Sequence, residues 1–492
     1  MKHIKRLAII FQILLFSTTF YAQTFYKSLE PGRNQLAVYV GSYDWGPCVN
    51  KIVINTNKEQ KPESLKLDDF EVERFLREKS TGLSLSKGEL ELTDVFCSDS
   101  KGNRVEGPSK YITILTDVYP TAENSSPFPG YLQSGVIDNF FNFRVENDEL
   151  DIDIKKTQGF VNEDVAKFSK GSYEYSKVTD EKELSMNLKY MFYLPDAASE
   201  KKKIPLILWF HSIGESGSNP YLVLLGNKAN ALAGDKIQGY FEDGAAILAP
   251  QCPTGWLETT DENSMGIRYW APVDLEGPVK KVANPLKKFL NNITDVTETD
   301  KNPKTEEKAF AAVSFYTEPV TELLMDFLEK HPEIDRDRVY VGGCSAGGYM
   351  TMNMMIEHSE LFAAAFPTCE YYLDSKISDS QIKMLAKKPM WFTYAENDET
   401  VKPKNNCIPT IERLTEAGAK NLHVSIFPDV VDTSGKVLLN RKAKEGDRDF
   451  GKPYEYEGHA SWIYVLNDEC RDEGGKESLF KWLSRQRRTV EK

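Results

Sequence analysis

The chain has 492 residues, of which 40% are hydrophobic. That is too long for one ordinary domain, fits two, and is too apolar for a disordered polymer. A formal net charge of −13 without a basic stripe excludes nucleic acid as a natural partner and serves solubility instead. No cysteine–histidine cluster has zinc spacing, and no phosphate loop or dinucleotide fingerprint occurs, so neither metal nor cofactor is expected.

Met1–Ala22 reads as an export leader. Lys2, Lys5 and Arg6 supply the positive end, Leu7 to Phe16 the apolar stretch, and Ala22 a small residue for cleavage. The run is short for a membrane span, and no cysteine follows it to carry a lipid anchor, so a secreted or periplasmic location is expected. Export permits disulfides among the seven cysteines, although an odd count leaves at least one thiol free. Cys48 and Cys97 are the candidate pair, but no pairing follows from the sequence itself.

Residues 23–170 carry strand signals: alternation in Leu150-Asp151-Ile152-Asp153-Ile154 and turn chemistry in Asp99-Ser100-Lys101-Gly102-Asn103. Helical periodicity is scarce there, so a β-sandwich is expected, acting as a spacer or stabilising partner, with sugar binding as the alternative. A polar linker is placed near Lys167–Asp180. From Leu188 onward strands and helices alternate, which predicts a mostly parallel sheet with helices on both faces and an α/β unit over 180–492. Two polar insertions interrupt it, Leu257–Lys308 and Asp429–Glu457. Both are expected at the end of the sheet where loops shape a pocket, as specificity walls or as surface decoration.

Gly343-Cys344-Ser345-Ala346-Gly347 follows the apolar strand Arg338-Val339-Tyr340-Val341-Gly342 and precedes the helical run Gly348 to Met355. A chain this long holds about 0.15 matches to G-x-S-x-G by chance, so the flanking strand and helix carry the weight. In a strand–elbow–helix context the serine is a nucleophile, followed in chain order by an acid and a histidine.

Six histidines compete for the role of base. His3 lies in the leader, and His211 and His331 precede the serine. His358 sits along the outgoing helix, about 20 Å away at the helical rise. His423 falls inside the strand Leu422 to Phe427, where a half-buried structural histidine is the plainer reading. His459, in Tyr456-Glu457-Gly458-His459-Ala460, follows the last strand and precedes the C-terminal helix. The acid should follow the strand Pro389 to Ala395. Asp398 is the choice, with Glu396 and Glu399 as competitors.

Serine must lose its proton as it attacks, a neutral imidazole can take it, and a carboxylate holds the imidazole's tautomer. The negative oxygen that develops needs preorganised N–H donors: one from Ala346, the other from the loop after Ile204 to Phe210.

Four blocks then resemble the alpha/beta-hydrolase superfamily and, within it, secreted prolyl-oligopeptidase-like esterases. They are Leu208 to Glu215, Ala249 to Pro253, Asp337 to Val341 with the elbow, and Gly458 to Trp462. The resemblance implies Ile213 N–H as the second donor, with Ser212 N–H as the fallback, since Ser212 stands where the family usually has glycine. The N-terminal third resembles the immunoglobulin-like domain found ahead of some of these esterases, on Asp44 to Pro47, Val49 to Ile54 and Tyr111 to Leu115. The implied activity is cleavage of carboxylic esters, including acyl groups on carbohydrate, through an acyl-enzyme. A prolyl-oligopeptidase-type peptidase and a non-catalytic carbohydrate-binding protein are the alternatives. Cys344 reads as a small buried apolar residue.

Overall fold

The computed structural model describes residues 24–77, 84–128, 140–178, 183–199, 201–253, 255–257 and 313–488. The leader reading, and the first insertion from residue 258 onward, lie outside the described residues.

The N-terminal part is a two-sheet sandwich. Its strands are β1 (Phe25–Tyr26), β2 (Leu36–Tyr43), β3 (Gly46–Gln60), β4 (Glu71–Arg77), β5 (Ser84–Glu89), β6 (Leu92–Ser98), β7 (Ser109–Thr116), β8 (Asn142–Asn147), β9 (Ile152–Ile154) and β10 (Thr157–Val161). One sheet runs β1-β10-β2-β3-β7-β6 and the other β5-β4-β8-β9. Alternate residues of the long strands turn inward. Leu36, Val38, Ile52, Ile54, Ile112 and Ile114 of the first sheet share one core with Val72, Phe143, Val145 and Ile154 of the second. This is the immunoglobulin-like arrangement expected of the strand pattern.

The expected linker is a strand. β11 (Ser169–Val178) pairs antiparallel with β12 (Glu183–Tyr193), from Ser169 opposite Phe192 to Val178 opposite Glu183. Its polarity misled because an edge strand keeps one side in water. Tyr175 is buried, while Ser172, Glu174 and Ser176 on the other face are exposed.

The remaining strands are β13 (Ile204–Phe210), β14 (Ala246–Pro250), β15 (Ile334–Cys344), β16 (Ala364–Thr368), β17 (Met390–Ala395) and β18 (Leu422–Phe427). Together they form the eight-stranded order β11-β12-β14-β13-β15-β16-β17-β18, parallel from β14 onward. β13, β14, β16 and β17 are buried at every position, as parallel strands covered on both faces must be. Leu206, Leu208 and Phe210 face one core, and Ile207 and Trp209 the other. Each such side chain contributes about 1.5–3 kcal/mol of transfer free energy. The second core runs on into the sandwich. The Phe25 ring lies 4.9 Å from that of Tyr221, and the Tyr221 hydroxyl accepts from Phe25 N–H at 3.3 Å.

Helix α1 (Thr317–Lys330) precedes β15, α2 (Ala346–His358) follows it, and α3 (Cys407–Glu416) joins β17 to β18. A two-stranded ribbon, β19 (Val430–Val431) with β20 (Glu455–Tyr456), closes the second insertion at its base.

All seven cysteines are free and buried. Cys48 and Cys97, the candidate pair, cannot meet. Cys97 is level with Ile112 and so with Ile54, which is about 20 Å along β3 from Cys48 and two strands across. Cys48 Sγ lies instead 3.4 Å from Ser125 Oγ, and Cys97 Sγ donates to Gln60 O at 3.3 Å.

Candidate active site

Ser345 stands at the turn from β15 into α2 with φ 57° and ψ −119°, a conformation a side chain rarely adopts. Such strain costs of order 1–3 kcal/mol and survives only where the surroundings enforce it. They do so through backbone contact. Ser345 N–H donates to Thr368 O at 3.0 Å, and Tyr349 N–H to Ser345 O at 2.9 Å. A Cβ on Gly343 would lie 2.6 Å from both Phe210 O and Gly347 O, and one on Gly347 would fall onto Phe210 O. The motif's glycines are required because the end of β13 crosses the elbow.

His459 lies in the short turn Gly458–Ala460 beyond β20. Its Nε2 is 2.8 Å from Ser345 Oγ, and its Nδ1 is 2.8 Å from Asp398 Oδ2. Asp398 Oδ1 already accepts the N–H groups of Thr400 at 2.9 Å and Val401 at 2.8 Å. A carboxylate only accepts, so Nδ1 carries the proton and the Nε2 lone pair faces the serine hydroxyl. Relative exposure is 7% for Ser345, 9% for His459 and 2% for Asp398, so these contacts are shielded from water. The competitors point elsewhere: Glu396 is exposed, and Glu399 pairs with Lys402 at 3.1 Å on the surface. His423 packs between Trp391 and Trp482, at ring separations of 4.9 and 5.6 Å, as the plainer reading had it.

Ile213 opens the short turn Ile213–Glu215 after β13, and Ala346 opens α2. The first N–H groups of a helical turn have no partner within it, and both residues occupy that position. Ser212 has φ −70° and ψ 171°, ordinary extended backbone, so a serine fits here without strain. His211 anchors this loop. Its Nε2 accepts Cys252 N–H at 2.9 Å, its Nδ1 donates to Ser212 O at 2.5 Å, and its own carbonyl accepts Trp256 Nε1–H at 2.9 Å. Full burial lowers its pKa to about 4, so the ring is neutral and structural.

Two buried glutamates were not singled out in the sequence. Glu215 lies 4.0 Å from His211 Nδ1, and Glu370 lies beside Gly348 of α2. Burial pushes each up to about 8. Glu215 and His211 are therefore both uncharged at neutral pH and form no ion pair. One oxygen of each glutamate has no hydrogen-bond partner. Only their loops' tertiary positions make them unusual; an isolated Glu in a loop reads as a solvated charge.

The second insertion is held by the sandwich. Arg441 donates from Nη1 and Nη2 to the two oxygens of Asp117, at 2.5 and 2.7 Å. Tyr119 donates its hydroxyl to Leu438 O at 2.6 Å.

The family model for the Esterase Ig-like N-terminal domain matches residues 38–167, and that for the Prolyl oligopeptidase family matches residues 322–372, which run from within α1 through the elbow to just past β16. No curated protein matches the chain. A solved structure described as a thermostable esterase is 18% identical, with a TM-score of 0.56, over 92% of this chain and 99% of its own. An acylaminoacyl peptidase of Pyrococcus horikoshii is 13% identical, with a TM-score of 0.35, over 73% of this chain and 48% of its own. A ferulic acid esterase is 12% identical, with a TM-score of 0.33, over 53% and 90%. The first of these likenesses establishes the fold. With the sandwich, the sheet order and the elbow, it shows an alpha/beta-hydrolase fold preceded by an immunoglobulin-like N-terminal domain.

Proposed function

We propose that this chain is an exported serine carboxylesterase. Ser345 attacks the ester carbonyl, and His459 Nε2 takes its proton and delivers it to the leaving alkoxide. Asp398 holds the imidazole and stabilises its charged form. The Ala346 and Ile213 N–H groups bind the developing oxyanion. Water then repeats the sequence on the acyl-enzyme and releases the acid. One observation carries this reading: the unbroken chain Ser345 Oγ–His459–Asp398, with two 2.8 Å contacts in a shielded site. In this reading Met1–Ala22 is the export leader, the sandwich begins at residue 23, and the catalytic part begins with β11 at Ser169, not at 180.

A small-molecule or saccharide ester is the substrate class, since esterases stand among the chains of similar fold. The match of residues 322–372 to the prolyl oligopeptidase family supports a second reading, cleavage of short peptides by the same residues. Hydrolysis of p-nitrophenyl acetate by the purified chain, compared with a peptidyl p-nitroanilide, separates the two. Ester turnover lost in Ser345→Ala supports the first. Anilide turnover without ester turnover supports the second, and activity retained in Ser345→Ala removes the nucleophile assignment.

A further inference from the structure

Where the sandwich meets the α/β part, a cleft of about 720 Å³ opens, and Ser345, Asp398 and His459 are not among the residues that line it. Its size falls within the roughly 300–1,000 Å³ of small-molecule sites. The floor is Lys228, whose Nζ reaches Asp44 Oδ1 of the sandwich at 2.7 Å and Asn467 Oδ1 of the α/β part at 2.9 Å. Lys228 itself is left-handed, φ 62° and ψ 27°, a strained conformation for a side chain with a Cβ.

The walls hold two unused acceptors. Asn230 is 4% exposed, yet its Oδ1 has no hydrogen-bond partner. Glu469 receives Thr433 Oγ1 on Oε1 at 2.5 Å, while its Oε2 is buried and unpartnered. A buried acceptor left unpaired forfeits its solvation without compensation, so two that line one cleft favour a ligand able to donate to both. Three lysines and four carboxylates line the cleft, a near balance that favours neither a polyanion nor a polycation. Hydroxyls both donate and accept, and so match such a mixed wall. Tyr39 lines the same space and adds an aromatic body to it.

The geometry points to a binding site for a neutral oligosaccharide in this cleft, built jointly by the sandwich and the α/β part. It goes beyond acyl hydrolysis and does not depend on that reading. It is physically joined to the elbow. Asn227, next to Lys228, donates to Cys344 Sγ at 3.3 Å, and Cys344 precedes Ser345. Sugar seated on Lys228 and Asn230 therefore rests on the segment that braces the nucleophile.

Affinity electrophoresis of the full chain in gels containing xylan, galactomannan or mixed-linkage β-glucan tests this, with polygalacturonate as the charged control. At least one neutral polymer should retard the protein. Glu163→Trp, which crowds the exposed rim, and Lys27→Ala should weaken that retention at least about fivefold, the effect of about one lost hydrogen bond. Both variants should keep the melting temperature and the rate on p-nitrophenyl acetate. No retardation by any neutral polymer, retardation by polygalacturonate alone, or unchanged retention in both variants would overturn the proposal. Since the ester assay is run separately, loss of the sugar site is distinguishable from loss of the acyl-hydrolase reading.

Discussion

The elbow region and the junction between the two parts are held by polar contacts of similar length, yet they are specified in different ways. At the elbow, Ser345 and Asp398 follow β15 and β17 of the eight-stranded sheet, and His459 follows β20 of the small ribbon, whose turn brings it to the same end. At the junction, Asp117 follows β7 of the sandwich and Arg441 lies within the loop between β19 and β20, 324 positions later. Neither residue has a local signal. A candidate catalytic centre can thus be read from strand, turn and helix punctuation, whereas a junction is read only from which surfaces meet.

The widest gap should come from the centre. Ser345→Ala and His459→Gln should each lower kcat by about 10⁶-fold, and the double variant by no more than either alone, because the residues act as one unit. Additive losses in single-turnover assays would show that they do not. Asp398→Asn should cost about 10⁴-fold by favouring the wrong imidazole tautomer, while Glu396→Gln and His423→Gln stay near wild type. If Glu396→Gln were the damaging change, the acid would be misplaced.

The junction should answer more quietly. Asp117→Asn removes the charge facing Arg441, whose side chain is 42% exposed and so screened. Its kcat should fall less than about tenfold, through a slight displacement of the segment leading to His459. Trypsin should cut faster among the exposed Lys436, Arg441 and Lys442. Unchanged proteolysis would mean that the clamp does not hold the loop.

The smallest effect concerns pH. Glu215 has a native pKa of about 8 against an ordinary 4.5, so the folded state binds the extra proton. Its contribution to stability is unimpaired below about pH 4.5 and declines as pH rises toward 8. Glu215→Gln, which cannot ionise, should therefore gain in melting temperature over wild type as pH is raised through this window. A constant difference across it would contradict the assignment.

The sequence by itself determined the class of each part, because both depend on periodicity. Alternation marks the sandwich, and unbroken apolar runs such as Ile204–Phe210 mark strands covered on both faces. It also determined the elbow, since glycines at 343 and 347 are the only residues that tolerate the crossing by Phe210 O. It singled out Asp398 and His459 from their competitors by position after a strand. Tertiary structure decided the rest. Ser169–Val178 is a strand because β12 is there to pair with it, and Cys48 and Cys97 stay apart because β7 lies between their strands. Glu215 and Glu370 are near-neutral because their loops are covered, and the 432–454 segment is anchored because Asp117 and Tyr119 happen to face it. Local patterns report what one residue's neighbours in the chain demand. Burial, charge state and partnership depend on residues brought close from elsewhere, and no window of sequence contains them.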